Sequence, residues 1–75
     1  MNNMDISIYK ENPKTQFLAQ EYERLSRGVL DAEQTAVSDP ALAELAAEEA
    51  KELQEQQVAL LAQMDEILIK DQEDE

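Results

Sequence analysis

From Leu18 onward the apolar positions recur at alternating steps of four and three: Leu18, Tyr22, Leu25, Val29, Ala32 and Ala36. Two apolar positions in every seven form the seam of a helix that lies at a shallow angle on another helix. The rhythm returns further along as Ala43, Ala46, Ala50, Leu53, Gln57, Leu60, Met64 and Ile67, broadened by Leu42, Leu45, Leu61 and Leu68. The pattern predicts two long helices, over about 13–37 and 40–69.

Two prolines mark the helix starts. In "SDPALAELAAEEA" (38–50), Asp39 is suited to cap a new helix and Pro40 to occupy its first position, where a missing N–H costs nothing. Proline also drives the residue before it out of the α region, so the preceding helix must end by about Ser38. Asn12-Pro13 repeats this chemistry ahead of the first long helix. Stop and start stand almost adjacent at Asp39-Pro40, which is how a chain folds back as a helical hairpin. The expected fold is therefore all-α: an antiparallel, coiled-coil-like hairpin over 12–69 with a short N-terminal segment.

That segment, residues 1–11, carries a weak cap signal at Asp5 and places Ile6 and Tyr9 on one face of a single turn. Gly28 interrupts the first helix at about 1 kcal/mol relative to Ala, either to admit a close approach of backbones or because it is tolerated. Glu23 with Arg27 and Lys51 with Glu55 have the spacing of i,i+4 pairs. The second seam is Ala-rich near the turn and bulky at the open end. There Leu61, Met64 and Leu68 exceed what one facing helix covers, which predicts a contact surface and self-association. "KDQEDE" (70–75) has no periodicity and reads as a frayed acidic tail or linker.

Eighteen acidic residues against six basic ones give a formal net charge of −12. Nucleic-acid binding by this segment is disfavoured, because it relies on clustered Lys and Arg. Basic protein surfaces are the more natural partners, and Glu44, Glu48 and Glu52 recur at every fourth position as a candidate contact face. There is no Cys and no His, which removes disulfides, the usual zinc sites, thiol nucleophiles and imidazole bases. Acid pairs such as Glu48 with Glu49, or Glu44 with Glu48, need a pocket to separate their pKa values, and two thin helices supply none. "DQEDE" lacks the glycine of a calcium loop, and Ser7, Ser26 and Ser38 have no candidate base. The expectation is a protein that is not an enzyme, with no cofactor, no metal and no membrane span, located in the cytoplasm.

Read in order, "FLAQEYERL" (17–25), "SDPALAELAAEEAKELQEQQVALLAQMDEIL" (38–68) and "KDQEDE" resemble the N-terminal helical (PCRF) domain of bacterial class I peptide chain release factors. Glu21, Tyr22 and Leu25 match that domain's Glu-Tyr segment. Asp39, Pro40, Leu42 and Ala46 match its turn, and Lys70 and Asp71 its exit. The stretch between the first two motifs is shorter here, and the exit lacks the family's proline. The resemblance implies an arm that positions a termination factor at the stalk base of the ribosome and contributes to docking of the release-factor methyltransferase. It also implies a longer protein, since a Gly-Gly-Gln loop cannot be built from one glycine. The residues alone equally allow a stand-alone acidic coiled-coil adaptor or dimerisation module, or an acidic chaperone masking a basic surface.

Overall fold

The computed structural model describes residues 6–73, and among them the chain is all-α. Three helices follow in order: α1 (Ser7–Glu11), α2 (Gln16–Ser38) and α3 (Ala43–Glu73), with a 3-10 turn at Pro40–Leu42 leading into α3. The cap expected of Asp5 lies outside the described residues.

Asp39 behaves as its chemistry requires. It is extended (φ −130°, ψ 96°), as a residue before proline should be, and its Oδ1 accepts the Ala41 N–H at 3.1 Å. Its own N–H closes α2 by donating to the Thr35 carbonyl at 2.9 Å. The first turn after Pro40 is 3-10 rather than α, so α3 proper begins at Ala43 and not at residue 40.

At the other proline the outcome differs from the expectation of a helix from residue 13. Asn12 Oδ1 accepts the Lys14 N–H at 2.8 Å, and the Thr15 N–H donates to the Asn12 carbonyl at 3.0 Å. These bonds hold a tight turn, and α2 starts only at Gln16. Pro13 has no N–H for the Tyr9 carbonyl, four residues back. The Thr15 hydroxyl donates to that carbonyl instead, at 2.6 Å, and Thr15 is completely buried. One side chain therefore satisfies the group that proline leaves without a partner.

Helices α2 and α3 lie against each other along their length. Ser26 meets Gln57, Gly28 meets Leu53 and Lys14 meets Asp71, so numbers rise along one helix as they fall along the other. None of the seam positions read from the periodicity is exposed: Leu25, Val29, Ala32, Ala46, Ala50 and Met64 are buried and the remainder half-buried. Leu42 and Leu45, expected to broaden the seam, are 44% and 71% exposed. Leu45 is turned about 100° from Ala46, which takes it off the contact with α2 and leaves it exposed. Gln57 is the one polar seam residue. Its amide donates to the Tyr22 carbonyl at 3.1 Å and to Ser26 Oγ, and so fixes the axial alignment of the helices.

The tail also departs from expectation, because α3 continues to Glu73. Lys14 pairs with Asp71, and Lys70 places positive charge in the last turn, where the helix dipole favours it. Glu23 pairs with Lys10 at 2.9 Å, and Arg24 pairs with Glu21 within α2.

Leu25→Ala removes a side chain that is 2% exposed, and is expected to cost about 2–4 kcal/mol. Leu45→Ala should cost less than about 0.5 kcal/mol. Denaturant melts of the two variants check the assignment of core and flank, and equal losses would reverse it.

Gly28 offers a second test. A Cβ there would stand 3.1 Å from Leu53 Cδ1. Gly28→Ala gains about 1 kcal/mol of helix propensity, which the displacement of Leu53 offsets, so its net change should stay within about 1 kcal/mol. Gly28→Val overfills the contact and should cost about 1–3 kcal/mol in the same melts. Equal stability of the two variants would show that the approach at Gly28 is not close.

Candidate functional site

The open end of the helix pair is closed by α1. Ile6 and Tyr9 form a buried cluster with Ala19 and Met64, and Leu18, Tyr22, Leu61 and Leu68 pack around it half-buried. Met64 has no exposed surface. The contact surface expected at Leu61, Met64 and Leu68 is therefore an internal one. The bulky residues exceed what α2 covers, but the chain's own N-terminal turn supplies the missing cover. The signal was the i,i+3 spacing of Ile6 and Tyr9, which puts both on one face even in a helix too short to register as a periodic segment.

Polar contacts hold α1 in place around that cluster. The Tyr9 hydroxyl donates to Asp65 Oδ1 on α3, Lys10 Nζ donates to Glu23 Oε2 on α2, and Lys14 ties the following turn to Asp71. The hydrogen bond to the Asp65 carboxylate, with burial and the negative charge beside it, raises the Tyr9 phenol above its ordinary value. On the surface of α2, the Arg24 guanidinium lowers the Glu21 carboxyl, and Glu21 raises Arg24 in turn. That exposed pair supports the helix and is not part of a site.

Glu44, Glu48 and Glu52 are exposed along α3. Glu44 and Glu48 belong to a wider asymmetry, since residues 28–50, between Arg27 and Lys51, hold Asp31, Glu33, Asp39, Glu44, Glu48 and Glu49 but no Lys or Arg. At the same end Leu30 is 64% exposed and Val37 is 86% exposed, and with Asp31, Glu33 and Gln34 they line an open depression on α2. Periodicity could not single out these leucine and valine positions, because an apolar residue off the seam looks like noise in a two-in-seven pattern. Another open depression lies between α2 and α3, lined by Glu21, Leu25, Gln56, Ala59, Leu60 and Gln63. Among the described residues no group of three His, Cys, Asp or Glu side chains is placed to hold a metal ion, and no helix is long and apolar enough to cross a membrane. The chemistry on offer is that of a surface: an acidic, partly apolar end on a rod 54 Å long.

Comparison with protein-family models, with curated proteins and with solved structures returned no match.

The Tyr9–Asp65 bond predicts how stability responds to alkali. The folded chain keeps the phenol protonated above its ordinary value of 10.0. Its contribution is complete below that value and is lost as pH rises through the higher folded one. Tyr9→Phe lacks this group, so its melting temperature should fall less steeply than that of wild type as pH rises above 10.0. Parallel pH profiles for the two proteins would show that the bond does not couple α1 to stability.

Proposed function

We propose that the chain is an antiparallel, coiled-coil-like helical hairpin that serves as the N-terminal interaction arm of a peptide chain release factor. In this reading it positions the factor on the ribosome during translation termination and has no catalytic group of its own. The observation that carries the reading is the order of its motifs. Glu21-Tyr22 with Leu25, the Asp39-Pro40 turn, the Leu/Glu-rich helix and the Lys70-Asp71 exit succeed one another as in the PCRF domain. Their placement supplies physical reasons for those residue types. Leu25 is buried, the Tyr22 side chain packs half-buried against the Ile6–Tyr9 cluster, and Asp39 caps the turn into α3. The motifs are thus features of the scaffold, and the ribosome or the methyltransferase would be met by the acidic exterior.

A second reading, a stand-alone acidic adaptor that binds another protein, is favoured by the exposed apolar residues Leu30, Val37, Leu45 and Val58. The two readings part over peptide release. An acidic arm facing a basic protein speeds encounter more than it tightens the final complex. In a factor carrying this arm, deletion of residues 1–75 should lower peptide release at limiting factor by roughly threefold to tenfold at low salt. The deficit should shrink as salt rises and vanish at saturating factor. Replacement of Glu44, Glu48 and Glu52 by Lys should produce a smaller deficit of the same kind. Identical release by all three proteins would remove the arm from termination and leave the adaptor reading. Loss of hydrolysis at saturating factor would show a role beyond positioning.

A further inference from the structure

The strip of surface that α1 covers does not end where α1 ends. On α2 the covered residue is Ala19, and Leu30 and Val37 follow it on the same line, with Val37 about five turns further on. On α3 the strip passes through Asp65, where the Tyr9 hydroxyl lands, and Val58 stands about two turns back along it. Helix α1 has five residues and covers about 8 Å of a strip that runs on the order of 27 Å from Ala19 to Val37. Beyond it Leu30, Val37 and Val58 are 64%, 86% and 69% exposed.

We propose that this uncovered part of the strip, towards the Asp39-Pro40 turn, is a docking site for a basic amphipathic helix of a partner protein, about two to three turns long. The chain supplies the pattern for its occupant. Helix α1 sits on the same strip with two apolar anchors at i,i+3, Ile6 and Tyr9, and with Lys10 paired to Glu23 at 2.9 Å. A segment seated further along would place apolar anchors on Leu30, Val37 and Val58 in the same manner. Its flanks would meet Asp31 and Glu33, which line the depression around Leu30 and Val37. Lys51 stands two turns beyond Val58 on the α3 line, but residues 28–50 carry six carboxylates and no Lys or Arg, so the charge around the strip remains acidic and its complement is a basic occupant. A second copy of this chain is the wrong occupant, since it would set one acidic end against another at a net charge of −12 each. The proposal does not depend on a role in termination.

The probe is an amphipathic Leu/Lys peptide of twelve or so residues, compared with a Leu/Glu peptide of identical apolar spacing, each titrated into the intact chain. Wild type should bind the Leu/Lys peptide and not the Leu/Glu peptide, with affinity falling as salt rises. Leu30→Ser with Val37→Ser should weaken binding at least tenfold while the helical circular dichroism is unchanged, because both side chains are exposed in the folded chain. Phe17→Ser, at an exposed apolar residue off the strip, should bind as wild type. If the double variant loses its helical signal, amide shift changes in wild type on adding the peptide decide instead, and they should cluster at Leu30, Val37 and Val58. Equal binding of both peptides, undiminished binding by a folded double variant, shifts centred elsewhere, or self-association of the chain through this strip would each overturn the proposal.

Discussion

The structure depends on one contact: the close approach of α2 and α3 through small side chains. Ala32 and Ala50 share a buried cluster with Val29, and Leu53 lies over Gly28. A chain of 75 residues with only three aromatics cannot enclose a wide core. It gains burial by bringing two helices near enough that short side chains suffice. Two consequences follow from that closeness. Residues about 100° off the contact line, such as Leu45, fall outside it and stay in water. Large residues cannot be accommodated near the turn, so they collect at the open end, where α1 becomes necessary to cover them.

The two prolines divide the chain by the same chemistry with different results. Each forces the preceding residue into extended backbone, and each is flanked by a side-chain oxygen that accepts an N–H two residues on. At Pro40 the departing helix is long and its last carbonyls face solvent, so a cap and one 3-10 turn complete the reversal. At Pro13 the departing helix is short and its carbonyl at Tyr9 is buried against α2. An unpaired buried carbonyl costs about 1–3 kcal/mol, which explains a fully buried threonine three residues after the start of the turn.

Much of this was legible in the residues. Every position named by the four-three rhythm is buried or half-buried, because a helix repeats its facing side regardless of what it faces, although Ser26 and Gly28 also meet α3 and lie outside that series. The end of α2 at Ser38 and the Asp39 cap before Pro40 followed from local sterics alone. What escaped depended on partners distant in sequence. The helical end at Glu73 is held by Lys14, and α1 is held by Asp65 and Glu23, none of which a local reading can supply. For the same reason Leu61, Met64 and Leu68 looked like an unpaired surface: bulk was visible, but the cover came from a segment too short to show periodicity. The acidic residues Glu44, Glu48 and Glu52 were legible as a face, and their exposure is what charge and spacing require.

The fold also gives the net charge a direction. Lys10 and Lys14 are drawn into pairs that fasten α1 and its turn, so two of the six basic residues neutralise acids at the open end. Between Arg27 and Lys51 the sequence holds six carboxylates and no cation. Glu44 and Glu48 among them, with Glu52 just beyond, are about one turn apart, well inside a screening length of roughly 8 Å at physiological salt. Their mutual repulsion opposes the folded rod at the end where the core consists of alanines and contributes least burial. Anything basic that binds there favours the folded chain, by an amount that grows with its concentration relative to its dissociation constant. The end with the thinnest core is therefore the end whose stability a partner can most readily change, and stability and recognition are coupled at the Asp39-Pro40 turn.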